Sequence, residues 1–187
     1  MFPAYSPETA AYIVSGSPAV WGAMTIRKWV MDDELKDSCM LLASVSISLL
    51  TGFAGAWLAP GMRQTYEMLA KPVLAPPGWV FGPVWIFLYI LMGIAAYKVF
   101  LAGWNRKEVR DALFYYGAQF VFNFMWSILF FRFALVEVAL LDAIILAALV
   151  VITTMKFSRI DTVAGWLMVP CMLWVIYAAV LNFAFLA

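Results

Sequence analysis

Long runs of apolar side chains make up most of this sequence, and polar side chains gather in the short segments between them. Five of these runs are close to the ~20 residues that a helix needs to cross a bilayer. Apolar and polar positions do not alternate with a period of two, and only helices or closed barrels satisfy the backbone in hydrocarbon. The pattern therefore predicts an all-α integral membrane protein, a five-transmembrane-helix bundle, with spans at about 39–59, 79–101, 112–133, 138–155 and 163–187.

The composition supports lipid as the main solvent of this chain. Hydrophobic residue types make up 66% of it and charged types 12%, against roughly 25% charged in a soluble domain. The net charge of +1 offers no clustered basic face for nucleic acid. There is no histidine, and Cys39 and Cys171 fall in separate apolar runs, so we expect neither a metal site nor a His-dependent nucleophile.

The basic residues are distributed unevenly between the two sides that five spans define. Cytoplasmic loops carry an excess of Lys and Arg. Nine Lys and Arg residues lie on the side of the N-terminus, the second loop and the fourth loop, and three lie on the opposite side. We therefore predict the N-terminus in the cytoplasm and the C-terminus outside.

Residues 1–38 form an N-terminal extension whose role the sequence leaves open. Segment 21–30 contains two tryptophans and an Arg-Lys pair, a composition that suits the membrane interface, while disorder is an alternative. A third interpretation is a start codon further downstream, at Met24, Met31 or Met40.

The segment that leads into the second span is rich in proline. Pro76 and Pro77 stand just before it, where proline costs no helical hydrogen bond. Lys71-Pro72 similarly ends a short helical turn predicted across 62–70. A stiff, partly apolar loop at a membrane surface suggests a lid, and the alternative is a tight link.

Three spans each carry a stripe of aromatic, amide or small residues at helical spacing. Amides in hydrocarbon are costly unless partnered, so these faces should point into the bundle. Converging stripes would form a flat-sided aromatic cavity for a planar apolar ligand, whereas the alternative is packing together with an interfacial tryptophan belt. The stripes are Trp85 and Tyr89; Gln119, Asn123 and Trp126; and Trp166, Pro170, Trp174, Ala178 and Asn182.

The first span carries a stripe of small residues at every fourth position. Ser44, Ser48, Gly52 and Ala56 would let another helix backbone approach closely. The sequence does not say whether that helix belongs to the same chain or to a second subunit.

Asp142 is the one acidic residue inside a span. An intramembrane acid is by default a candidate functional residue. A structural role, in which Asp142 pairs with Arg132 or caps a backbone group, is the interpretation we favour.

Together these residues resemble the TspO/MBR family of tryptophan-rich sensory proteins, which includes the mitochondrial translocator protein. The resemblance covers roughly residues 40–187. It rests on Tyr66…Leu69-x-Lys71-Pro72…Pro76-Pro77…Trp79…Phe81…Trp85…Leu88-Tyr89, then Gln119-x-x-x-Asn123-x-x-Trp126-Ser127, Asp142, and Trp166-x-x-x-Pro170-x-x-x-Trp174…Ala178…Leu181-Asn182.

The resemblance implies a five-helix bundle, usually a homodimer, in a bacterial inner (cytoplasmic) membrane. It also implies a receptor that binds porphyrins of the protoporphyrin IX type beneath the first loop, with a sensory, transport or tetrapyrrole-homeostasis role. No cofactor is required, and the porphyrin is the ligand. Carried over by position, the ligand-binding residues are Tyr66, Trp85, Gln119, Asn123, Trp174 and Ala178, with Phe122 and Trp126 as neighbours.

Two other activities stay open at this stage. The first is light-dependent porphyrin degradation, which the resemblance would assign to Trp85 and Trp174 as catalytic residues. The second is a carrier of porphyrin or sterol. The animal sterol motif needs an aromatic and then a basic residue after Leu181-Asn182, and no basic residue follows here, which argues against sterol recognition of that kind.

Overall fold

The computed structural model describes the backbone of residues 18–59, 61–69, 72–73 and 75–186, and the side chains of 34–59, 61–62, 64–69, 72–73 and 75–186. Two compact units are distinguished, Met1–Met40 and Leu41–Ala187. The interfacial segment predicted at 21–30 lies outside the residues whose side chains are described.

Six α-helices make up most of the described chain, which contains no strand. A 3₁₀ turn, Gly78–Val80, leads into the third helix, and a π-helical turn, Ile128–Arg132, extends the fourth. The helices are α1 Pro18–Leu58, α2 Met62–Met68, α3 Phe81–Leu101, α4 Lys107–Ser127, α5 Val136–Ile160 and α6 Thr162–Ala184.

Among the described residues, five helices are long and apolar enough to cross a membrane, so the predicted all-α membrane fold is confirmed. They are Glu34–Leu58, Gly78–Leu101, Lys107–Arg132, Val136–Ile160 and Thr162–Ala184. Each helix begins one to five residues before the apolar run that predicted it, and the last one ends at Ala184, before the end of its predicted run at 187. The early starts arise because charged residues such as Glu and Lys are good helix formers, so they mark the end of hydrocarbon and not the end of a helix.

The small-residue stripe of α1 packs against helices of the same chain. Ser44 Oγ donates to the carbonyl oxygen of Gly93 at 2.8 Å, and the Ser48 and Tyr116 hydroxyls lie 2.7 Å apart. A Cβ placed on Gly93 would lie 2.6 Å from the Cα of Val45, which shows how closely α1 and α3 approach. The stripe therefore serves packing within the chain.

The expected pairing of Asp142 with Arg132 is not formed. Among the described residues these two make no ion pair, and Arg132 Nη1 donates instead to the carbonyl oxygen of Leu58 at 3.1 Å. Asp142 is buried, and in the described part of the chain its Oδ2 has no hydrogen-bond partner. Arg132 therefore contacts the C-terminal end of α1 and not Asp142.

Candidate functional site

A cavity of about 450 Å³ lies among α1, α2, α3 and α4. Pockets for small molecules and cofactors usually measure roughly 300–1,000 Å³ and are mostly apolar. Six aromatic residues line this one: Phe53, Tyr66, Phe81, Trp85, Tyr89 and Trp126, with Phe131 from the π-helical turn as a seventh. Its size and lining suit a planar apolar molecule.

The wall formed by α3 and α4 is a fixed aromatic surface with one amide. The rings of Trp85 and Tyr89 are stacked, with centroids 5.4 Å apart and planes at 28°. The Tyr89 hydroxyl donates to Asn123 Oδ1 at 2.7 Å. This bond leaves the two amide N–H groups of Asn123 for an acceptor in the cavity.

The short helix α2 is tied down onto the bundle beside the cavity. Tyr66 is 2% exposed, and its hydroxyl donates to the carbonyl oxygen of Pro76 at 2.8 Å. Burial raises the pKa of the Tyr66 phenol above its ordinary value. Thr65 Oγ1 donates to the carbonyl oxygen of Phe131 at 3.3 Å. These contacts hold a cover over the cavity, consistent with the lid interpretation of the loop.

The α1 wall opens toward the side of the bundle. Leu49, Gly52, Phe53 and Ala56 line the cavity from α1. Phe53 is 70% exposed, and Ile86, on the facing helix α3, is 55% exposed. The cavity therefore reaches the membrane-facing surface between α1 and α3.

The cavity is electrically neutral as far as the structure describes it. None of the lining residues with described side chains is charged. The polar groups among them are the amide of Asn123, the Ser127 hydroxyl, the indoles of Trp85 and Trp126, and the phenols of two tyrosines. Within the described residues no three Cys, Asp or Glu side chains cluster as a metal site would require. Lys71 and the side chain of Arg63 lie outside the described residues.

Four of the eight predicted ligand-binding residues line this cavity: Tyr66, Trp85, Asn123 and Trp126. Trp126 is fixed by its own polar contact, because its Nε1 donates to Asn182 Oδ1 at 3.0 Å. Asn182 Nδ2 in turn donates to the carbonyl oxygen of Val136 at 2.9 Å. The amide stripes of α4 and α6 thus meet inside the bundle.

The other four predicted residues, Gln119, Phe122, Trp174 and Ala178, do not line the cavity. Gln119 is 1% exposed, and neither amide atom has a partner among the described residues. Phe122 is half-buried against the core. Trp174 packs edge-on against Phe81 with centroids 6.0 Å apart, and Ala178 borders a separate void of about 10 Å³. A ligand-binding role for these four stays a prediction.

Several lining residues were not among the sequence candidates. Gly52 and Ala56 belong to the small-residue stripe of α1, and Tyr89 belongs to the aromatic stripe of α3. Helical spacing predicted that these residues point into the bundle, but it could not show that they line a cavity. Met62, Phe81 and Phe131 carried no such signal, because a residue near a helix end faces the cavity only through tertiary packing.

Comparison with known proteins gives one family. The model of the TspO/MBR family matches residues 44–187. The "Tryptophan-rich protein TspO" of Chlorobaculum tepidum is 36% identical over 152 residues, which cover 81% of this chain and 96% of that protein. The "Tryptophan-rich sensory protein" of Cereibacter sphaeroides is 38% identical over 129 residues, which cover 69% of this chain and 78% of that protein. The "Translocator protein" of Bos taurus is 32% identical over 137 residues, which cover 72% of this chain and 80% of that protein.

Proposed function

Because this chain belongs to the TspO/MBR family, we propose that it is a membrane receptor with a sensory role whose ligand is a porphyrin of the protoporphyrin IX type. The sensory role is supported by the relative from Cereibacter sphaeroides, whose name states it. The ligand class is argued from the cavity, and the observation that carries it is a neutral, aromatic-lined space of about 450 Å³ inside the membrane domain.

Stacking on a flat aromatic surface supplies the recognition of a planar macrocycle. The Trp85 ring is stacked on the Tyr89 ring, so a porphyrin would meet an indole that is already held in place. Aromatic pairs contribute about 0.5–1.5 kcal/mol each beyond the burial of apolar area. The free N–H groups of Asn123 would bind an acceptor on the ligand. The carboxylates of the ligand would remain near the membrane surface, where water solvates them.

No contact among the described residues favours light-dependent degradation. That chemistry requires both tryptophans of the predicted pair to be close to the porphyrin. Trp85 lines the cavity, whereas Trp174 lies behind the ring of Phe81. A binding role needs only the residues that already surround the space.

A titration of the detergent-solubilised protein with metal-free protoporphyrin IX in the dark tests this function. Binding is followed by the quenching of tryptophan fluorescence and, independently, by the absorbance of the porphyrin. Trp85→Phe should weaken binding by about twofold to fivefold, because the smaller phenyl ring keeps only part of the stacking surface of the indole, a loss of order 0.4–1 kcal/mol.

The matched control is Trp104→Phe, which changes an exposed tryptophan near the end of α3 that does not line the cavity. It should bind porphyrin as the unchanged protein does. Equal affinities for all three proteins, or no saturable binding to any of them, would overturn the proposal.

We also propose that the protein is a homodimer in a bacterial inner membrane, with its N-terminus in the cytoplasm. The distribution of basic residues supports this orientation. The small-residue stripe of α1 is occupied by Gly93, Tyr116 and Tyr89, so a second copy would have to use another face. Cysteine accessibility in intact cells would test the orientation, and an accessible cysteine between α3 and α4 from outside would contradict it.

A further inference from the structure

One end of the bundle, where α4 begins and α5 ends, carries four basic residues on two neighbouring helices. Lys107 and Arg110 lie in the first turn of α4, and Lys156 and Arg159 lie in the last two turns of α5. Lys107, Arg110 and Arg159 are exposed, and Lys156 is half-buried. The two helices are in contact here, because Lys156 Nζ lies over the ring of Tyr115 of α4, 4.9 Å from its centroid.

Helical spacing places most of these cations beside one groove. Residues three or four positions apart share a helix face, so Arg159 lies on the face of Lys156. Lys107, Asp111 and Tyr115 follow one another at every fourth position of α4 and share a face in the same way. Since Lys156 contacts Tyr115, both faces border the groove between α4 and α5. Three cations therefore meet one carboxylate at this end of the groove.

The cations of the groove are not neutralised within the described part of the chain. The ion pairs formed there at this end of the bundle use two other cations, Lys98 and Arg106, each with its own carboxylate. Lys107, Lys156 and Arg159 form no ion pair with any described residue. The groove thus keeps a positive charge that favours an anion from outside the chain.

The fourth cation, Arg110, is already held in position. Its Nη1 donates to the carbonyl oxygens of Trp104 and Asn105 at 3.4 Å and 3.0 Å. A guanidinium has five N–H donors in a fixed plane, so the Nε and Nη2 donors stay available for another acceptor. Carboxylate and phosphate are the anions that match this geometry.

Exposed apolar side chains lie one turn from the cations on both helices. Phe114 follows Arg110 by four positions and is 72% exposed. On α5, Met155 precedes Arg159 by four positions and is 53% exposed, and Ile152 lies one turn further into the span. All three belong to helices long and apolar enough to cross a membrane. A soluble anion would use only the cations, whereas a lipid would use the apolar surface as well.

We propose that the groove between α4 and α5 binds an anionic glycerophospholipid at this end of the bundle. Its phosphate accepts hydrogen bonds from Arg110, Arg159 and Lys107, and its acyl chains lie against Phe114 and Met155. Basic pockets between transmembrane helices are suited to such headgroups. The site is separate from the aromatic cavity, because none of these residues lines that cavity, and it does not depend on the proposed porphyrin ligand.

A lipid titration of the full chain in a neutral detergent tests this site. Phosphatidylglycerol and phosphatidylcholine with the same acyl chains are compared, with bound lipid counted by native mass spectrometry and stability followed by thermal unfolding. Phosphatidylglycerol should bind preferentially and raise the unfolding temperature, because a ligand of the folded state stabilises it. High salt should weaken the preference, since exposed charges are screened. Equal binding of the two lipids would overturn the proposal.

A double variant separates a site from the overall charge of the protein. Lys107→Gln with Arg159→Gln removes two exposed cations and should weaken phosphatidylglycerol binding by about 25-fold, or about fivefold for each cation near the membrane surface. Lys36→Gln with Arg106→Gln is the matched control, because it removes the same charge from exposed residues outside α4 and α5. Equal losses in the two double variants would mean that only net charge matters, and the site would be abandoned.

A second pair of variants tests the acyl chains. Phe114→Ala should weaken phosphatidylglycerol binding, whereas Phe183→Ala, which removes a similarly exposed ring from α6, should not. Glycerol phosphate, the headgroup without its chains, should not raise the unfolding temperature at the concentrations at which the lipid does. If glycerol phosphate stabilised the protein as well as the lipid, or if Phe114→Ala bound the lipid unchanged, the groove would be a site for a soluble anion and the lipid proposal would fail.

Discussion

At the scale of single residues, Gly52 determines how closely α1 can lie against the aromatic wall of the cavity. A Cβ at this position would come within 2.7 Å of Cδ2 and Cζ of the Tyr89 ring. Tyr89 has little room to withdraw, because it stacks on Trp85 and donates a hydrogen bond to Asn123. Replacing Gly52 therefore disturbs a whole wall of the cavity.

We predict that Gly52→Ala lowers the free energy of unfolding by about 1–3 kcal/mol, the usual effect of overpacking a close contact. It should also weaken porphyrin binding, since α1 and Tyr89 both line the cavity. Thermal unfolding in detergent and the porphyrin titration measure the two effects. Gly117→Ala is the matched control, because nothing lies within 4 Å of a Cβ there. Equal stability of the two variants would contradict the close approach of α1 and α3.

The intramembrane amides show what residue-level reasoning from a sequence can and cannot give. The cost of an unpaired amide in hydrocarbon correctly placed Asn123 and Asn182 where they find partners, Tyr89 and Trp126. The same argument placed Gln119 inside, and it is 1% exposed. It could not say which of the three borders a cavity, because that depends on how neighbouring helices pack.

At the scale of helices, Asp161 joins three of them at one end of the bundle. Its carboxylate accepts a hydrogen bond from the backbone N–H of Ala164 at 2.7 Å and so caps the start of α6. The same residue forms an ion pair with Lys98 Nζ of α3 at 3.2 Å. The Ala164 N–H and, less strongly, the Lys98 ammonium hold the pKa of Asp161 below its ordinary value, against the opposing effect of partial burial.

We predict that Asp161→Ala lowers the free energy of unfolding at pH 7 by about 0.5–2 kcal/mol, as expected for the loss of an N-cap. Because the folded-state pKa is depressed, the ionised carboxylate stabilises the fold above its ordinary pKa of 3.8, and this contribution is lost as the pH falls through the lower folded-state value. Thermal unfolding scans from pH 7 downward should therefore show the two proteins converging below about pH 4.

The ion pair and the cap can be separated by one further variant. Lys98→Met removes the ion pair alone, and a half-exposed pair of this kind contributes about 0–1 kcal/mol. Its effect should vanish in high salt, whereas that of Asp161→Ala should persist. A difference between the wild type and Asp161→Ala that grows as the pH falls would contradict the depressed pKa.

Helices were easier to predict than their contacts, for a physical reason. Each span is fixed by hydropathy along the chain, a local property, and the prolines at 76 and 77 marked the entry into α3 correctly. The wall that α1 contributes, and the position of Phe81 in front of Trp174, depend on side chains brought together from distant parts of the chain. Spacing correctly placed Asn182 of the α6 stripe inside the bundle, but it was wrong for Trp166 of the same stripe, which is 70% exposed. Spacing also could not show that a ring from α3 stands in front of Trp174.

At the scale of the whole molecule, the absence of histidine from the sequence determines which porphyrin should bind. An iron porphyrin gains most when a protein side chain ligates the metal, and histidine is the commonest such ligand. The described lining of the cavity is neutral and mostly apolar, and its recognition of a planar ring does not depend on a metal at the centre. The binding energy should therefore come from the macrocycle itself.

We predict that metal-free protoporphyrin IX binds at least as tightly as ferric haem, and that bound haem lacks the sharp bands of a low-spin complex with two strong axial ligands. Parallel absorbance titrations of the same preparation in the dark measure both. The thioether of Met62 and the phenols of Tyr66 and Tyr89 line the cavity and could ligate iron. Both phenols already donate hydrogen bonds, to Pro76 and Asn123, so Met62→Leu is the control. A low-spin spectrum, or a haem affinity well above that of the metal-free ring, would contradict the prediction. If Met62→Leu then lost the low-spin spectrum or the high affinity for haem, the cavity would recognise the metal. Aromatic stacking would in that case not be the sole basis of recognition.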